Sequence, residues 1–336
     1  MTRRISIDIE KWPLRKPFVI ARGTRHETET VAVTIHDGDL IGRGEAVALP
    51  RYGESSASVA RQIEAMTNAL VDEMNSETLQ QAISAGAARN AIDAALWDLE
   101  AKRTGQDVGQ LSGLGWPSDI QTVQTISIFE PEEMGAEARE LARFPVIKVK
   151  ANAERIVERI AAVHENAPDA RLVVDGNESW TIDILREVAP ELARLGVEMI
   201  EQPLHANADH DLTDYSGPLP IYADEACHTC ADLPKLKGKY QGINIKLDKT
   251  GGLTEAIRLA DAGSREGFDI MLGCMVSTSL GIAPAMFLAT TAKYVDIDAP
   301  ALLAEDREHA IQISDGRVSP LSPELWGGGG KPVSPG

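Results

Sequence analysis

Apolar positions recur with two different periods along this chain, and the switch between them divides it. In the first hundred residues Ile5, Ile7 and Ile9 alternate with polar neighbours, as do Val31, Val33 and Ile35. A period of two predicts half-buried strands, and Asp37-Gly38 supplies a hairpin turn behind the second. A helical period follows over Ala87 to Thr104. Ala88, Ile92, Ala95, Leu96 and Leu99 make one stripe, and Gly105 stands where a left-handed C-cap belongs. This is an α+β module, expected to span residues 1–115.

After Trp116-Pro117 short β-rich runs alternate with longer segments rich in Ala, Leu, Glu and Arg. Strands are predicted at Val123–Phe129, Val146–Lys150, Leu172–Asp175, Glu198–Glu201, Ile221–Asp224, Ile243–Lys246, Ile270–Gly273 and Tyr294–Asp296. Strand-helix alternation implies parallel pairing, and eight such units are the number that closes a barrel. The expected fold class is therefore α/β. A (β/α) barrel over 116–305 follows the α+β module, and residues 306–336 return to that module. Trp326 to Gly336 is rich in Gly and Pro and reads as a flexible tail.

Composition narrows the function. The 336 residues carry 33 Lys and Arg against 51 Asp and Glu, a formal charge of −18. Such a surface repels phosphate backbones and anionic lipid, so neither nucleic acid nor membrane is an expected partner. It does not exclude a symmetric homo-oligomer. Met271 to Ala292 holds no charged side chain, but Gly273, Gly281, Pro284 and several Ser and Thr residues make it a strand, loop and helix. The basic start of the chain lacks the apolar core of a signal peptide. Three cysteines, Cys227, Cys230 and Cys274, make no disulfide framework, so a reducing cytoplasm is expected.

The chemistry shows at the strand ends. Lys148 and Lys150 close the second predicted barrel strand, Asp175 the third, Glu201 the fourth, Asp224 the fifth and Lys246 the sixth. From Lys150 to Lys246 they follow one another at 25, 26, 23 and 22 residues, one βα unit each, which places them on one rim. In barrels the C-terminal rim is the catalytic one. Three carboxylates gathered there need a cation, and an all-oxygen set suits a hard ion such as Mg²⁺. Lysines beside such an ion lose pKa and become amine bases.

Together Lys148-Val-Lys150, Asp175-Gly-Asn177, Glu201-Gln-Pro203, Ala223-Asp224-Glu225 and Asn244-Ile-Lys246 resemble the enolase superfamily, in its muconate-lactonizing subgroup. The resemblance covers nearly the whole chain and implies a capping domain on a modified TIM barrel. Gly176 departs from a frequent alanine without touching the ligand position. By resemblance Asp175, Glu201 and Asp224 bind Mg²⁺, which holds a substrate carboxylate and stabilises an enediolate. Lys150 and Lys246 then face opposite sides of the α-carbon, as a 1,1-proton transfer requires, and Lys148 supports the carboxylate. The histidine-base branch needs a His on the seventh strand, and Ile270 to Cys274 has none.

Cycloisomerases, o-succinylbenzoate synthases, N-succinylamino acid racemases and dipeptide epimerases share this machinery. The eighth strand, Val295-Asp296-Ile297-Asp298, points both aspartates into the mouth by alternation. Two more carboxylates suit a ligand with a positive charge, and the pair resembles the dipeptide epimerase signature that grips an α-ammonium. Arg22-Gly23-Thr24-Arg25 and Pro50-Arg51-Tyr52-Gly53-Glu54 are the capping loops expected to read the side chain. The first resembles the loop of L-Ala-D/L-Glu epimerases, whose arginine meets the glutamate carboxylate; Arg22 and Arg25 are both candidates. A succinyl-substrate enzyme is the near rival, and a non-catalytic carboxylate binder the rival of another class.

Two motifs carry less. Cys227-His228-Thr229-Cys230 lacks the second pair a zinc site needs. Thr250-Gly251-Gly252 could cradle a phosphate, but a tight loop beside Lys246 is the better reading.

Overall fold

The computed structural model describes residues 3–20 and 23–329. Strands β1 (Arg4–Ile20), β2 (Gly23–Asp37) and β3 (Leu40–Ala46) form an antiparallel sheet with β2 in the centre. Because Asp37 pairs with Leu40, the two-residue turn is Gly38-Asp39, one position beyond the expected one. Val31, Val33 and Ile35 are buried against the helix Ala87–Thr104, and Gly105 ends that helix in the left-handed conformation. The helix is buried well beyond its apolar stripe. Arg89, Asn90, Asp93 and Asp98 are also enclosed, since it lies between the sheet and the second half of the chain.

That half holds a parallel sheet of eight strands in sequential order. They are β4 (Gln124–Ile126), β5 (Val146–Lys150), β6 (Arg171–Asp175), β7 (Val197–Glu201), β8 (Ile221–Ala223), β9 (Gly242–Ile245), β10 (Asp269–Leu272) and β11 (Tyr294–Val295). All eight expected strands are present, and the sheet curls until its edges meet. The Val123 amide donates to the Val295 carbonyl at 2.8 Å and the Thr125 amide to Asp298 Oδ2 at 2.8 Å. Val173, Met199, Tyr222, Met271 and Tyr294 pack inside the curl.

Helix alternation is incomplete. Between β7 and β8 only the 3₁₀ turns Ala206–Ala208 and His210–Asp214 form, and before β9 only the 3₁₀ turn Cys230–Asp232 and the one-turn helix Leu233–Leu236. Pro218 and Pro220 deny the first of these stretches the donors a longer helix needs, whereas Pro234 sits in the first turn of its helix, where none is required. The uncharged stretch resolves into β10, the short helix Ser279–Ile282 and the 3₁₀ turn Ala285–Thr291. No helix among the described residues is long and apolar enough to cross a membrane.

The two halves meet through buried carboxylates. Asp248, just past β9, accepts from the Val47 amide (2.8 Å) and Asn90 Nδ2 (3.0 Å). Asp93 accepts from the amide and hydroxyl of Thr254, and Glu45 from those of Thr278 and from Arg307. The Thr250-Gly251-Gly252 turn lies against the same helix. A Cβ on Gly251 would fall 2.5 Å from Arg89 Nε, and one on Gly252 2.5 Å from Asp93. Both glycines also have positive φ, so they serve close packing and the tight-loop reading stands. Trp326 is no tail residue. It is fully buried, and its Nε1 donates to the carbonyls of Arg43 and Ala94 at 2.9 and 3.2 Å. An indole this size fills a socket between the halves, which anchors the segment Gly and Pro content marked as loose; residues 330–336 lie outside those described.

Replacing Trp326 with Ala is expected to cost about 3–5 kcal/mol, and with Phe distinctly less, read from urea unfolding. A pH dependence follows from the seam. Burial, more than any neighbour, pushes Asp248 up to about 7. Its contribution to stability is complete below its unfolded value of about 3.9 and is lost as pH rises through 7. The urea midpoint of metal-free protein should therefore fall between about pH 4 and about pH 7 and level off above that, and Asp248→Asn should flatten that fall.

Candidate active site

Register in the sheet assembles the site. Lys148 and Lys150 are alternate residues of β5, so both face the barrel interior. Lys150 pairs with Asp175 across the β5–β6 ladder, and Asp175 with Glu201 across β6–β7. Asp224 and Lys246 stand one residue past β8 and β9. The three carboxylates are buried, with one oxygen of each within 4.8 Å of the others.

Four lysines balance them. Lys148 Nζ lies 2.6 Å from Glu201 Oε2, 2.6 Å from Asp296 Oδ2 and 3.3 Å from Asp175 Oδ2. Lys150 donates to Asp175 Oδ2 at 2.6 Å, and Lys246 to Asp224 Oδ2 at 2.8 Å. Lys249 donates to Asp224 Oδ1 (2.6 Å), to the Asp224 carbonyl and to the Asn244 carbonyl (3.0 Å). Asn244 Nδ2 in turn donates to Glu201 Oε1 at 2.7 Å. Lys249 has no place in the sequence reading. Its signal was the spacing: three residues past Lys246, in a helical turn, it falls on the same side.

The titration pattern follows from burial set against these pairs. Burial alone would lower Lys148, but Asp296, Glu201 and Asp175 outweigh it and hold the ammonium well above its usual range. Lys246 behaves likewise beside Asp224 and Glu201. Burial would raise Asp175, yet Lys150 and Lys148 bring it down to about 2. Asp224 is held well below the carboxylate range by Lys246 and Lys249, again against burial. Glu201 goes the other way, raised by burial and by Asp175. Its buried Oε2 has the Lys148 ammonium, 2.6 Å away, as its ion-pair partner, a charge shared with Asp175 and Asp296. Three converging buried carboxylates, all oxygen donors, are a set that fits a hard divalent cation.

Above them is a cavity of about 330 Å³, the size of a small-ligand site. Lys150, Lys246, Asp296 and Asp298 line it from the barrel, Arg25, Arg51 and Tyr52 from the capping side. Both aspartates reach the mouth, as alternation implied, with different partners. Asp296 is engaged by Lys148, whereas Asp298 accepts the Thr125 amide and makes no cap bond to the helix Ala299–Leu302 that it precedes. Burial and the charge of Asp296 push Asp298 up to about 6. Arg25 is exposed on β2 at the cavity wall, and Arg22 lies outside the described residues. Cys227 and Cys230 are free thiols, each pushed up to about 12 chiefly by burial, so neither is a ready thiolate.

A curled eight-stranded parallel sheet with acidic residues at three successive strand ends, under an antiparallel cap, defines an enolase-type barrel. Residues 3–113 match the mandelate racemase/muconate lactonizing enzyme N-terminal domain, and residues 133–329 the enolase C-terminal domain-like family. The chain belongs to this branch of the enolase superfamily, as its strand-end motifs implied.

Its relatives are isomerases. The L-Ala-D/L-Glu epimerase of Escherichia coli (strain K12) is 46% identical over 94% of this chain and 99% of its own length. An N-acetyl-D-glutamate racemase of a Pseudoalteromonas species is 43% identical over 89% and 95%. Among solved structures, an enolase family member from Agrobacterium tumefaciens with homology to dipeptide epimerases, bound to sodium and L-Ala-L-Glu, is 43% identical with a TM-score of 0.94, covering 97% of this chain and 100% of that one. The dipeptide epimerase of Enterococcus faecalis V583, complexed with Mg and L-Leu-L-Tyr, is 28% identical with a TM-score of 0.89 over 96% and 98%.

Lys148→Met tests the charge balance. Leaving these carboxylates without their shared ammonium should cost the metal-free protein about 3–5 kcal/mol. The loss should shrink as pH falls, because protons can then replace the missing ammonium and Glu201, already raised by burial and Asp175, takes one up more readily than its neighbours, as urea titration across a pH series would show.

Proposed function

We propose that this chain is a Mg²⁺-dependent dipeptide epimerase acting on L-Ala-D/L-Glu, a fragment of cell-wall peptide, and inverting the α-carbon of its C-terminal residue. One observation carries the reading: Lys150 and Lys246 face each other across the cavity. Lys150 ends β5 and Lys246 follows β9 by one residue, and these strands stand four apart in a barrel of eight, on opposite walls. A carbon held between them has one amine on each face, so one lysine removes the α-proton and the other returns it from the opposite side. Lys148 stays cationic among Asp175, Glu201 and Asp296, and supports the substrate carboxylate. A divalent cation held by Asp175, Glu201 and Asp224 would add positive charge beside that carboxylate, stabilising the enediolate and lowering the two lysine pKa values.

Asp296 and Asp298 grip the dipeptide α-ammonium, and an arginine of the first capping loop, Arg22 or Arg25, meets the glutamate side chain. In this reading residues 1–115 are the cap, 116–305 the catalytic barrel, and 306–336 the return to the cap, in a cytoplasmic enzyme.

The 43% identity to an N-acetyl-D-glutamate racemase favours one second reading. L-Ala-Glu and N-acetylglutamate are both N-acylated glutamates, and they differ in whether the acyl group carries an ammonium. Asp298→Asn separates them. Turnover of a dipeptide should collapse, while N-acetyl or N-succinyl amino acids should be unaffected or improve.

The direct test is proton NMR of L-Ala-L-Glu with the protein and Mg²⁺ in D₂O. Loss of the Glu α-proton signal with appearance of the L,D diastereomer is expected, and EDTA should stop both. An unchanged spectrum would remove the glutamate assignment.

A further inference from the structure

The Pro50–Tyr52 turn reaches from the cap to the barrel, and its arginine is committed on arrival. Arg51 Nε and Nη2 donate to the two oxygens of Glu178 at 2.8 and 2.9 Å, a two-point fork, and Nη2 also stands 3.0 Å from His205 Nε2. The Glu178 side chain is only 5% exposed and accepts the Ala206 amide at 2.9 Å as well. Its backbone has φ 64°, following Asn177 at φ 43°, and its amide donates to the Gln202 carbonyl at 2.8 Å. Two consecutive left-handed non-glycine residues are costly, and here they turn the Glu178 carboxylate up toward the cap.

Glu178 therefore sits where the loops after β6 and β7 are joined, three residues past Asp175. The neighbouring Tyr52 lines the cavity and sets its ring edge-on against His228, in the loop after β8, with centroids 4.3 Å apart. Two adjacent residues of the cap thus engage the loops that follow all three carboxylate-bearing strands.

We infer that Arg51 is a positioning residue, clamped by Glu178 so that Tyr52 closes the Asp224–Lys246 side of the cavity, and is not the arginine that reads the substrate side chain. This rests on the proposed activity for its kinetic consequence, though not for its structural one. Arg51 lies in a loop whose cations would suit an acidic side chain, so its sequence alone allows either role.

The experiment compares Arg51→Met and Glu178→Gln with the unmodified protein. Initial rates are measured on L-Ala-L-Glu and L-Ala-L-Gln, and amide hydrogen exchange is followed by mass spectrometry without substrate. A clamp predicts that both variants raise KM about tenfold for both dipeptides, with kcat changed far less and the Glu-over-Gln preference kept. Both should also speed exchange across residues 49–54, whose turn is closed by the Tyr52 and Gly53 amides on the Leu49 and Pro50 carbonyls, while the barrel strands keep their protection. The double variant should be no worse than either single one.

Loss of the Glu preference in Arg51→Met alone would overturn the inference and make Arg51 the reader. Unchanged exchange across 49–54 in both variants would overturn it too. Should the unmodified protein turn over neither dipeptide, the proposed activity fails, and faster exchange in both variants still upholds the clamp.

Discussion

Everything at the barrel mouth is arranged around one constraint: carboxylates buried at a point must be met by cations buried with them. Asp175, Glu201 and Asp224 come from three adjacent strands and cannot separate without breaking the sheet. Isolated, each would take up a proton or pull the barrel apart. Lys148 at the centre, with Lys150, Lys246 and Lys249 around it, keeps Asp175 and Asp224 ionised. The residues proposed for catalysis are thus also those that let the site exist folded, so few of them can be changed for stability alone.

The same economy governs the seam between the halves. Asp93 and Asp248 are buried, raised to about 6 and about 7, and satisfied mainly by amides, hydroxyls and an amide side chain. Neutral donors hold a carboxylate in place without neutralising it, so the seam is specific in geometry and costly in charge. That matters because the cavity is walled from both sides. Arg25, Arg51 and Tyr52 belong to the cap, the lysines and aspartates to the barrel, and a small shift at the seam would change the pocket more than the reacting centre.

The strand ends were legible because barrel geometry leaves a periodic trace. Residues one βα unit apart must share a rim, so Lys150, Asp175, Glu201, Asp224 and Lys246 were found from spacing and chemistry together. Interactions that skip that period are not marked by it. Lys249 holds Asp224 from a turn after the strand, and Asn244 holds Glu201 from inside β9. The Arg51–Glu178 fork joins residues far apart in sequence, and Trp326 drops from a Gly-rich stretch into a socket formed only when the halves meet. Composition misjudged Trp326 because looseness depends on what a segment packs against. The long helix missing before β8 reflects Pro218 and Pro220, which the overall alternation concealed.

Asp296 and Asp298 show where periodicity stops being informative. Alternation places both in the mouth, and there it treats them as equivalent. Their surroundings do not. Asp296 belongs to the charge cluster through Lys148, so its ionisation is part of the barrel's own balance. Asp298 is held by the Thr125 amide and the Gln124 side chain of β4, and burial and the charge of Asp296 outweigh the pull of Lys148, so it stands near 6. A group poised there responds to what enters the cavity: an ammonium favours its ionised form, and a neutral acyl group favours its protonated one. On the proposed function, the two aspartates divide between building the site and reading its occupant, and the difference between an aminoacyl and a plain acyl substrate would fall on Asp298.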